Sequence, residues 1–222
     1  MTGVIDILIP KDNEEKLLEM AKKLGYDSIC FLYDRIGDKT KEKIAGLGKK
    51  NDVHVYFGSV YGNPANRQSD VVLGDVEKIN AADAIVDKRI DAVFGFEKLK
   101  ASDRTHHKVS GLDHVLCTMA AEKKKIIVID FGHILKAKGH ARAVMIGRIK
   151  QNIMLCKKYK AKVAIASFAS SPLHLRSPHD LASFIDVLGG DERKALVNFE
   201  EKIMENIKKR SPDYIAEGIE KV

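Results

Sequence analysis

Short runs of apolar residues alternate along this chain with longer segments in which apolar residues recur at helical spacing. A short, continuously apolar run is typical of a strand that is buried on both faces. The longer segments are typical of amphipathic helices. The pattern predicts seven strands, at residues 3–9, 28–33, 53–57, 71–73, 90–94, 125–130 and 163–167. It predicts helices between them, at residues 14–24, 39–50, 76–88, 111–123, 139–159, 180–188 and 191–210.

Several of these helices have recognisable ends. Asp12 or Asn13 can cap the first helix, and Gly25 can end it in the left-handed conformation. Ser110 is the predicted N-cap of the fourth helix, with Asp113 three residues later. Residues 177–180 repeat this signal, because Ser177 is followed by Pro178 at the first helical position and by Asp180 at the third.

Strands that alternate with helices indicate a parallel sheet. At least seven β/α units in 222 residues predict a closed or nearly closed (β/α) barrel, of the α/β class and TIM-barrel-like. An open, doubly wound sheet is the alternative. No linker or repeat divides the chain, so a single barrel domain over residues 1–222 is expected, with a charged C-terminal helix at 191–210.

The charge of the chain is concentrated in its middle. The chain carries 38 basic and 31 acidic residues, whereas residues 98–162 alone have 16 basic and 4 acidic ones, a net charge of +12. Such a block is the electrostatic footprint of a polyanion partner. A lysine-rich, solvated surface is the alternative, and we favour it for Lys123–Lys125 alone. Aromatic residues make up only 6% of the chain, with no Trp, so recognition of backbone and shape is expected rather than base stacking.

Several protein classes are excluded by what the sequence lacks. There is no GxGxxG or GxxxxGK[ST] phosphate-binding loop and no GxSxG nucleophile elbow. The longest strongly apolar run, Ile126–Ile129, is far too short to span a membrane. Met1–Pro10 has no features of a signal peptide, so a cytoplasmic location is expected. The three widely spaced cysteines fit buried thiols in a reducing compartment.

A metal-dependent phosphoesterase is the enzymatic alternative. It would need Asp6, His54, His133 and His174 to meet at the carboxyl ends of the strands. The first strand, however, has no His-x-His pair, which metal-dependent hydrolases on such barrels usually place there. The sequence therefore predicts no metal bound by the protein.

Two loops combine basic side chains with a helix start. Arg176 immediately precedes Ser177, and a second loop contains Arg104, Lys108 and His114. Free N–H groups at a helix start and an Arg fork both suit phosphate. The alternative for Arg176 is a salt bridge to a carboxylate such as Asp130.

The long helix at 139–159 carries basic side chains beside an apolar seam. They are Arg142, Lys150 and Lys157, and separately Arg148, all at positions that look exposed. Such a basic ridge can follow a phosphate backbone. An ordinary amphipathic helix is the alternative.

Three segments carry a resemblance to a known family. Ser110–Cys117, Ile126–Asp130 and above all Leu173–Leu181 resemble the third protein component of archaeal ribonuclease P and its eukaryotic homologue, and the resemblance extends over nearly the whole chain. It implies a TIM-barrel-like fold related to the polymerase-and-histidinol-phosphatase (PHP) group, without that group's metal ligands. A PHP-type metal-dependent phosphoesterase is the alternative function.

The resemblance also implies a role. It indicates a subunit of ribonuclease P, the ribonucleoprotein endonuclease that removes the 5′ leader from precursor tRNA. The RNA would hold the catalytic Mg²⁺, and the isolated protein would be non-catalytic and bind no cofactor. The implied partners are ribonuclease P RNA and protein component 2, in a heterotetramer, with precursor tRNA as an indirect partner.

The resemblance assigns RNA contacts to Arg176 and His114, which lie inside matching motifs. Arg89, Arg104 and Lys158 are further candidates with weaker surrounding matches. Together with the charge pattern, the predicted RNA-binding set is Arg176, His114, Arg104, Arg89, Lys158, Lys108, Arg142 and Arg148.

Overall fold

The structure is a computed structural model that describes residues 4–62, 69–98 and 109–211, and the backbone of residues 214–216 and 219–220. Seven parallel strands follow one another in chain order, and each pairs with the next. They are β1 (Ile5–Leu8), β2 (Ser28–Tyr33), β3 (His54–Val60), β4 (Val71–Asp75), β5 (Ala92–Phe94), β6 (Ile126–Asp130) and β7 (Lys162–Ala166). The strands form a nearly closed, TIM-barrel-like cylinder, which confirms the predicted fold class.

Helices connect the strands and surround the barrel. They are α1 (Glu14–Lys23), α2 (Asp38–Lys50), α3 (Ala81–Val86), α4 (His114–Glu122), α5 (Phe131–Lys136), α6 (Gly139–Tyr159), α7 (Pro178–Val187) and α8 (Glu192–Lys209). A short hairpin, β8 (Tyr214–Ala216) with β9 (Ile219–Glu220), follows them. No described helix has the length and apolar character that crossing a membrane requires.

The seam between β1 and β7 closes the barrel with few backbone bonds. Leu8 and Ala169 form a single parallel bridge, and the N–H of Ile9 donates to the carbonyl of Ala169 at 3.0 Å. The buried carboxylate of Asp6 adds two further links, because it accepts from the N–H of Ser167 at 2.6 Å and from its hydroxyl at 2.5 Å. The side chain of Asp6 thus replaces part of the missing strand ladder.

The final long helix, α8, closes the amino end of the barrel. Phe199 and Ile203 belong to the same apolar cluster as the inward-facing residues of the strands. The amide of Asn198 donates to the carbonyl of Val163 at 2.7 Å, and that of Asn206 donates to the carbonyl of Asp70 at 3.0 Å. The charged helix predicted at 191–210 therefore forms the floor of the barrel.

Local side-chain contacts shift two element boundaries from their predicted positions. Ser110 is not the N-cap of α4, because its hydroxyl donates to Asn152 at 2.5 Å inside the protein. Asp113 caps the helix instead, by accepting from the N–H of Leu116 at 2.8 Å. The third helix was predicted over 76–88 and is shorter, because Asn80 caps a helix that starts only at Ala81.

Other sequence-level expectations are confirmed at single residues. Gly25 follows α1 with φ +88°, as a helix stop in the left-handed region requires. Ser177 and Asp180 form the full capping box at the start of α7, with Pro178 in its first turn. All three cysteines are buried free thiols.

Candidate nucleic-acid interface

The carboxyl end of the barrel, where barrel enzymes place their active sites, is occupied by side chains that bind one another. Phe94, at the end of β5, stacks on Phe168 with ring centroids 5.1 Å apart. Lys98 lies over the ring of Phe94 and pairs with Asp130 at 2.8 Å. The pair is almost fully buried, with 10% of the Lys98 side chain and 8% of the Asp130 side chain exposed. These contacts close the end of the barrel.

Two buried carboxyl groups have raised pKa values near this end. Burial raises the pKa of Glu97 to about 7, although the N–H of Asp130 donates to its side chain at 3.2 Å. Burial likewise raises the pKa of Asp6 to about 7, against the opposing effect of its hydrogen bonds with Ser167. Both carboxyl groups are thus bonded within the protein, and loss of solvent around them explains why their pKa values are raised.

The four residues proposed for a metal centre are not brought together. Asp6 bonds Ser167 at the barrel seam, and His133 lies in α5 beyond the end of β6. His54 is the first residue of β3, at the opposite end of the barrel, and His174 lies exposed in a short 3-10 turn after β7. In the part of the chain that the structure describes, no group of three or more His, Cys, Asp or Glu side chains could hold a metal ion. The phosphoesterase reading is not favoured.

Arg176 lies in the segment between β7 and α7, where the sequence places it. One nitrogen of its guanidinium donates to the carbonyls of Leu173 and Leu175, at 3.1 and 2.6 Å. Its own carbonyl accepts from the hydroxyl of Tyr26 at 2.9 Å. The alternative pairing with Asp130 is wrong, since Asp130 pairs with Lys98. Arg176 is therefore held on a fixed turn beside a capped helix.

His114 and Lys158 lie close together, although they are 44 positions apart in the sequence. Both contact Tyr159, which the sequence analysis did not single out. The rings of His114 and Tyr159 have centroids 6.0 Å apart, and the ammonium of Lys158 lies 5.4 Å from the centroid of the Tyr159 ring. Both basic residues are exposed. The only sequence signal for Tyr159 is its position beside Lys158.

Arg89 is exposed but firmly held. Its guanidinium bonds the carboxylate of Asp87 at 2.6 Å and lies over the ring of Tyr61, whose hydroxyl it also bonds. The Arg89 hydrogen bonds hold the pKa of Asp87 well below its usual range. Because an exposed ion pair is screened by water, this geometry orients the guanidinium more than it stabilises the fold.

The basic ridge predicted on α6 is only partly present. Arg148 is buried, with 6% of its surface exposed, so the expectation that it lies on the surface is wrong. Arg142 is exposed, but its guanidinium donates to the carbonyls of Ala137 and Leu135. It thus caps the end of α5, a helix that the sequence pattern did not predict. Lys150 and Lys157 are exposed, as expected.

The last turns of α6 and the end of α7 border an open groove of about 510 Å³. Lys150, Lys157 and Lys158 line it together with the exposed side chains of Met154 and Val187. Arg104 and Lys108, the remaining predicted contacts, lie outside the described residues. In the described part of the basic block, Lys150, Lys157 and Lys158 thus lie on the outer helix α6, whereas Lys98 is buried at the carboxyl end.

The fold and its basic surface define a TIM-type barrel protein in which the described residues assemble no metal centre at the carboxyl end. Residues 98–211 match the family model described as RNase P subunit p30. The chain belongs to this family of ribonuclease P protein subunits, which confirms the resemblance seen in the sequence.

Curated relatives agree with this assignment, and a solved structure has the same fold. Ribonuclease P protein component 3 of Methanosarcina mazei is 31% identical over 221 residues, covering 93% of this chain and 88% of the relative. The protein of the same name from Methanocaldococcus jannaschii is 26% identical, covering 81% and 79% of the two chains. A chain of the cryo-EM structure of archaeal ribonuclease P with mature tRNA has a TM-score of 0.79 at 22% identity, covering 97% of this chain and 96% of that one.

More distant structures share only the type of fold. The crystal structure of an amidohydrolase has a TM-score of 0.52 at 9% identity, covering 94% of this chain and 75% of that one. The relation to the PHP group implied by the sequence resemblance stays a prediction.

Proposed function

We propose that this chain acts in ribonuclease P by binding the catalytic RNA and lowering the Mg²⁺ concentration that the RNA needs to cleave precursor tRNA. The RNA holds the Mg²⁺ and performs the hydrolysis, and the isolated protein is non-catalytic and needs no cofactor of its own. The partners are ribonuclease P RNA and protein component 2, in a heterotetramer, with precursor tRNA contacted indirectly. The cytoplasm is the proposed compartment.

The observation that carries this proposal is where the basic block lies. Residues 98–162 have a net charge of +12, and the whole block falls within the residues that match the family model. Lysine and arginine side chains that neutralise closely spaced phosphates release counterions and lower the cost of compacting an RNA. The basic residues thus supply the charge that Mg²⁺ would otherwise supply.

The direct contacts in this proposal come from Arg176, His114, Lys158 and Arg89. The guanidinium of Arg176 is held in place by neighbouring carbonyls through one nitrogen, which suits phosphate binding by the others. Arg89 would exchange its two bonds with Asp87 for bonds with phosphate. Arg104, Lys108, Arg142 and Arg148 complete the predicted set. Arg148, being buried, is its weakest member.

The test is cleavage of precursor tRNA by the cognate ribonuclease P RNA at limiting Mg²⁺. It compares component 2 alone, this protein alone and both together, with no cleavage expected from the proteins without RNA. Arg176→Ala should raise the protein concentration needed for half-maximal activation about tenfold, as expected for one lost charged hydrogen bond.

Arg193→Ala is the matched control, because Arg193 is exposed in the first turn of α8, outside the proposed contact set. It should activate as the wild type does. If the pair of proteins does not activate the RNA, the proposed function is wrong. If the pair activates and Arg176→Ala does so equally well, only the role of Arg176 is wrong.

A further inference from the structure

Four exposed lysines lie together near the amino end of the barrel, outside the predicted RNA-binding set. We name the surface formed by Lys88, Lys123, Lys124 and Lys160 the lysine face. These residues line two adjoining grooves, of about 380 and 340 Å³, beside the amino ends of β5, β6 and β7. The grooves share Lys124 and Lys125 in their linings, so they form one continuous surface.

A buried lysine holds this surface in shape. Lys125 follows Lys124 directly, but its ammonium group is buried and donates to the carbonyl of Asp87 at 2.7 Å and to that of Ile90. The turn between α4 and β6 is thereby fixed against the turn between α3 and β5. As a result, Lys123 and Lys124 on one turn lie beside Lys88 on the other.

The backbone of two of these lysines is in a conformation that favours glycine. Lys124 has φ +53° and Lys160 has φ +61°, each just after the end of a helix. Glycine is the usual residue at such a position, because a side chain there is sterically disfavoured. Glycine is indeed present after α1 and α7, at Gly25 and Gly189.

Asp52, after α2, is a residue with an unfavourable backbone conformation whose side chain makes an ion pair. It also has a positive φ, of 55°, and its carboxylate pairs with Lys22 at 2.7 Å. Lys160, by contrast, makes no ion pair with a carboxylate in the part of the chain that the structure describes. Lys124 and Lys160 line the same groove. Compared with glycine, a lysine at each of these two positions lowers the stability of the fold and adds a positive charge to this groove.

The carboxylates in the grooves are engaged with other lysines. Glu201 pairs with Lys162 at 2.8 Å, and Lys202 pairs with both Glu205 and Asp91, at 3.2 and 3.8 Å. Among the described residues, Lys88, Lys123 and Lys160 have no such partner. These three lysines therefore carry positive charge that no carboxylate among the described residues neutralises.

We propose that the lysine face binds the phosphate backbone of a double-helical RNA segment, an inference that rests on the proposed function. The described residues that line the grooves include no aromatic or arginine side chain, whereas protein interfaces are usually centred on such residues. The same composition disfavours unpaired bases, which stack on aromatic rings. Lysine ammonium groups suit phosphates, and RNA duplexes are recognised chiefly through backbone and shape.

The test measures how the affinity of the full-length protein for a blunt RNA duplex of about 16 base pairs depends on salt. In Lys124→Asn/Lys160→Asn, asparagine tolerates the left-handed backbone and removes two charges. We expect the slope of log K against log [salt] to fall in magnitude by about 1.8, as for two lost phosphate contacts on a duplex. Lys124→Arg/Lys160→Arg should keep the wild-type slope.

Two more variants separate charge from folding. Lys43→Gln/Lys49→Gln removes two exposed charges from α2 and should leave the slope unchanged. Lys124→Gly/Lys160→Gly should raise the melting temperature and still weaken duplex binding. If the glycine variant binds the duplex as tightly as the wild type, the lysine face is not an RNA surface.

The activation assay with component 2 distinguishes this inference from the proposed function. If the wild type activates the RNA while the asparagine variant keeps its slope and affinity, the inference is wrong and the proposed function stands. If that variant binds the duplex normally but no longer binds component 2, the surface contacts protein, which also overturns the inference. If the wild type neither binds the duplex nor activates, both are wrong.

Discussion

The two ends of the barrel use charged residues in opposite ways. At the carboxyl end, Lys98 and Asp130 are paired and almost fully buried, and Glu97 is buried beside them. At the amino end, the lysine face is exposed, and α8 closes the barrel beneath it with apolar side chains. The comparison shows that polar residues at the end where barrel enzymes work do not by themselves indicate catalysis. Here they hold the loops of a closed barrel.

The largest expected effect comes from opening the amino end. Phe199→Ala removes a buried ring from the barrel interior and should lower the free energy of unfolding by about 4 kcal/mol, since the cavity can relax only in part. Chemical denaturation followed by circular dichroism measures this loss. Met204→Ala is the control, because Met204 lies on the same helix with 39% of its surface exposed and should cost little. Similar losses for the two variants would show that α8 does not form the floor.

A somewhat smaller loss is expected from breaking the ion pair at the carboxyl end. Lys98→Met leaves Asp130 buried without its partner and should lower the free energy of unfolding by about 3 kcal/mol. In Lys98→Met/Asp130→Asn, the amide oxygen can still accept the N–H of His133, as Asp130 does at 2.9 Å. This double variant should therefore recover most of the loss. No recovery would mean that Lys98 acts through packing on Phe94 rather than through charge.

The smallest expected effect is a change in how the free energy of unfolding depends on pH, which is caused by the buried carboxyl groups. Asp6 and Glu97 have pKa values raised to about 7, so the folded chain holds more protons than the unfolded chain between about pH 4 and pH 7. Their contribution to stability is complete below this window and is lost as the pH rises through it. In Glu97→Gln the stability should fall less over the window, by about 1.4 kcal/mol per pH unit relative to wild type, because one proton is involved.

Denaturation curves recorded at several pH values measure this difference. Comparison with the wild type is essential, because carboxylates with lowered pKa values, such as that of Asp87, act in the opposite direction. Parallel pH profiles for the two proteins would contradict the raised pKa of Glu97.

Local patterns predicted much of the fold, and long-range contacts decided the rest. The bounds of β2 and α6 are as predicted, because apolar runs and helical periodicity are properties of neighbouring residues. Lys125 and Arg148 were expected on the surface and are buried. For Lys125 the cause is a pair of carbonyls 35 and 38 positions away, which no local pattern shows.

Some features of the candidate RNA-binding site also depend on neighbouring residues, and others depend on contacts between distant helices. Arg176 and its capped helix could be predicted, since the cap residues are adjacent in sequence. The contact of His114 and Lys158 with Tyr159 could not, because packing of α4 against α6 creates it. Ser110 was misassigned as a cap for the same reason, since its partner Asn152 lies on α6.

The position of α8 has a consequence for how the protein is made. The ribosome releases a chain from its amino terminus, and domains fold as their parts emerge. All seven barrel strands leave the ribosome before residues 192–209, so the nascent barrel has no floor until α8 has emerged. During that interval the apolar residues that later contact Phe199 and Ile203 face water, and the growing chain is most in need of chaperones.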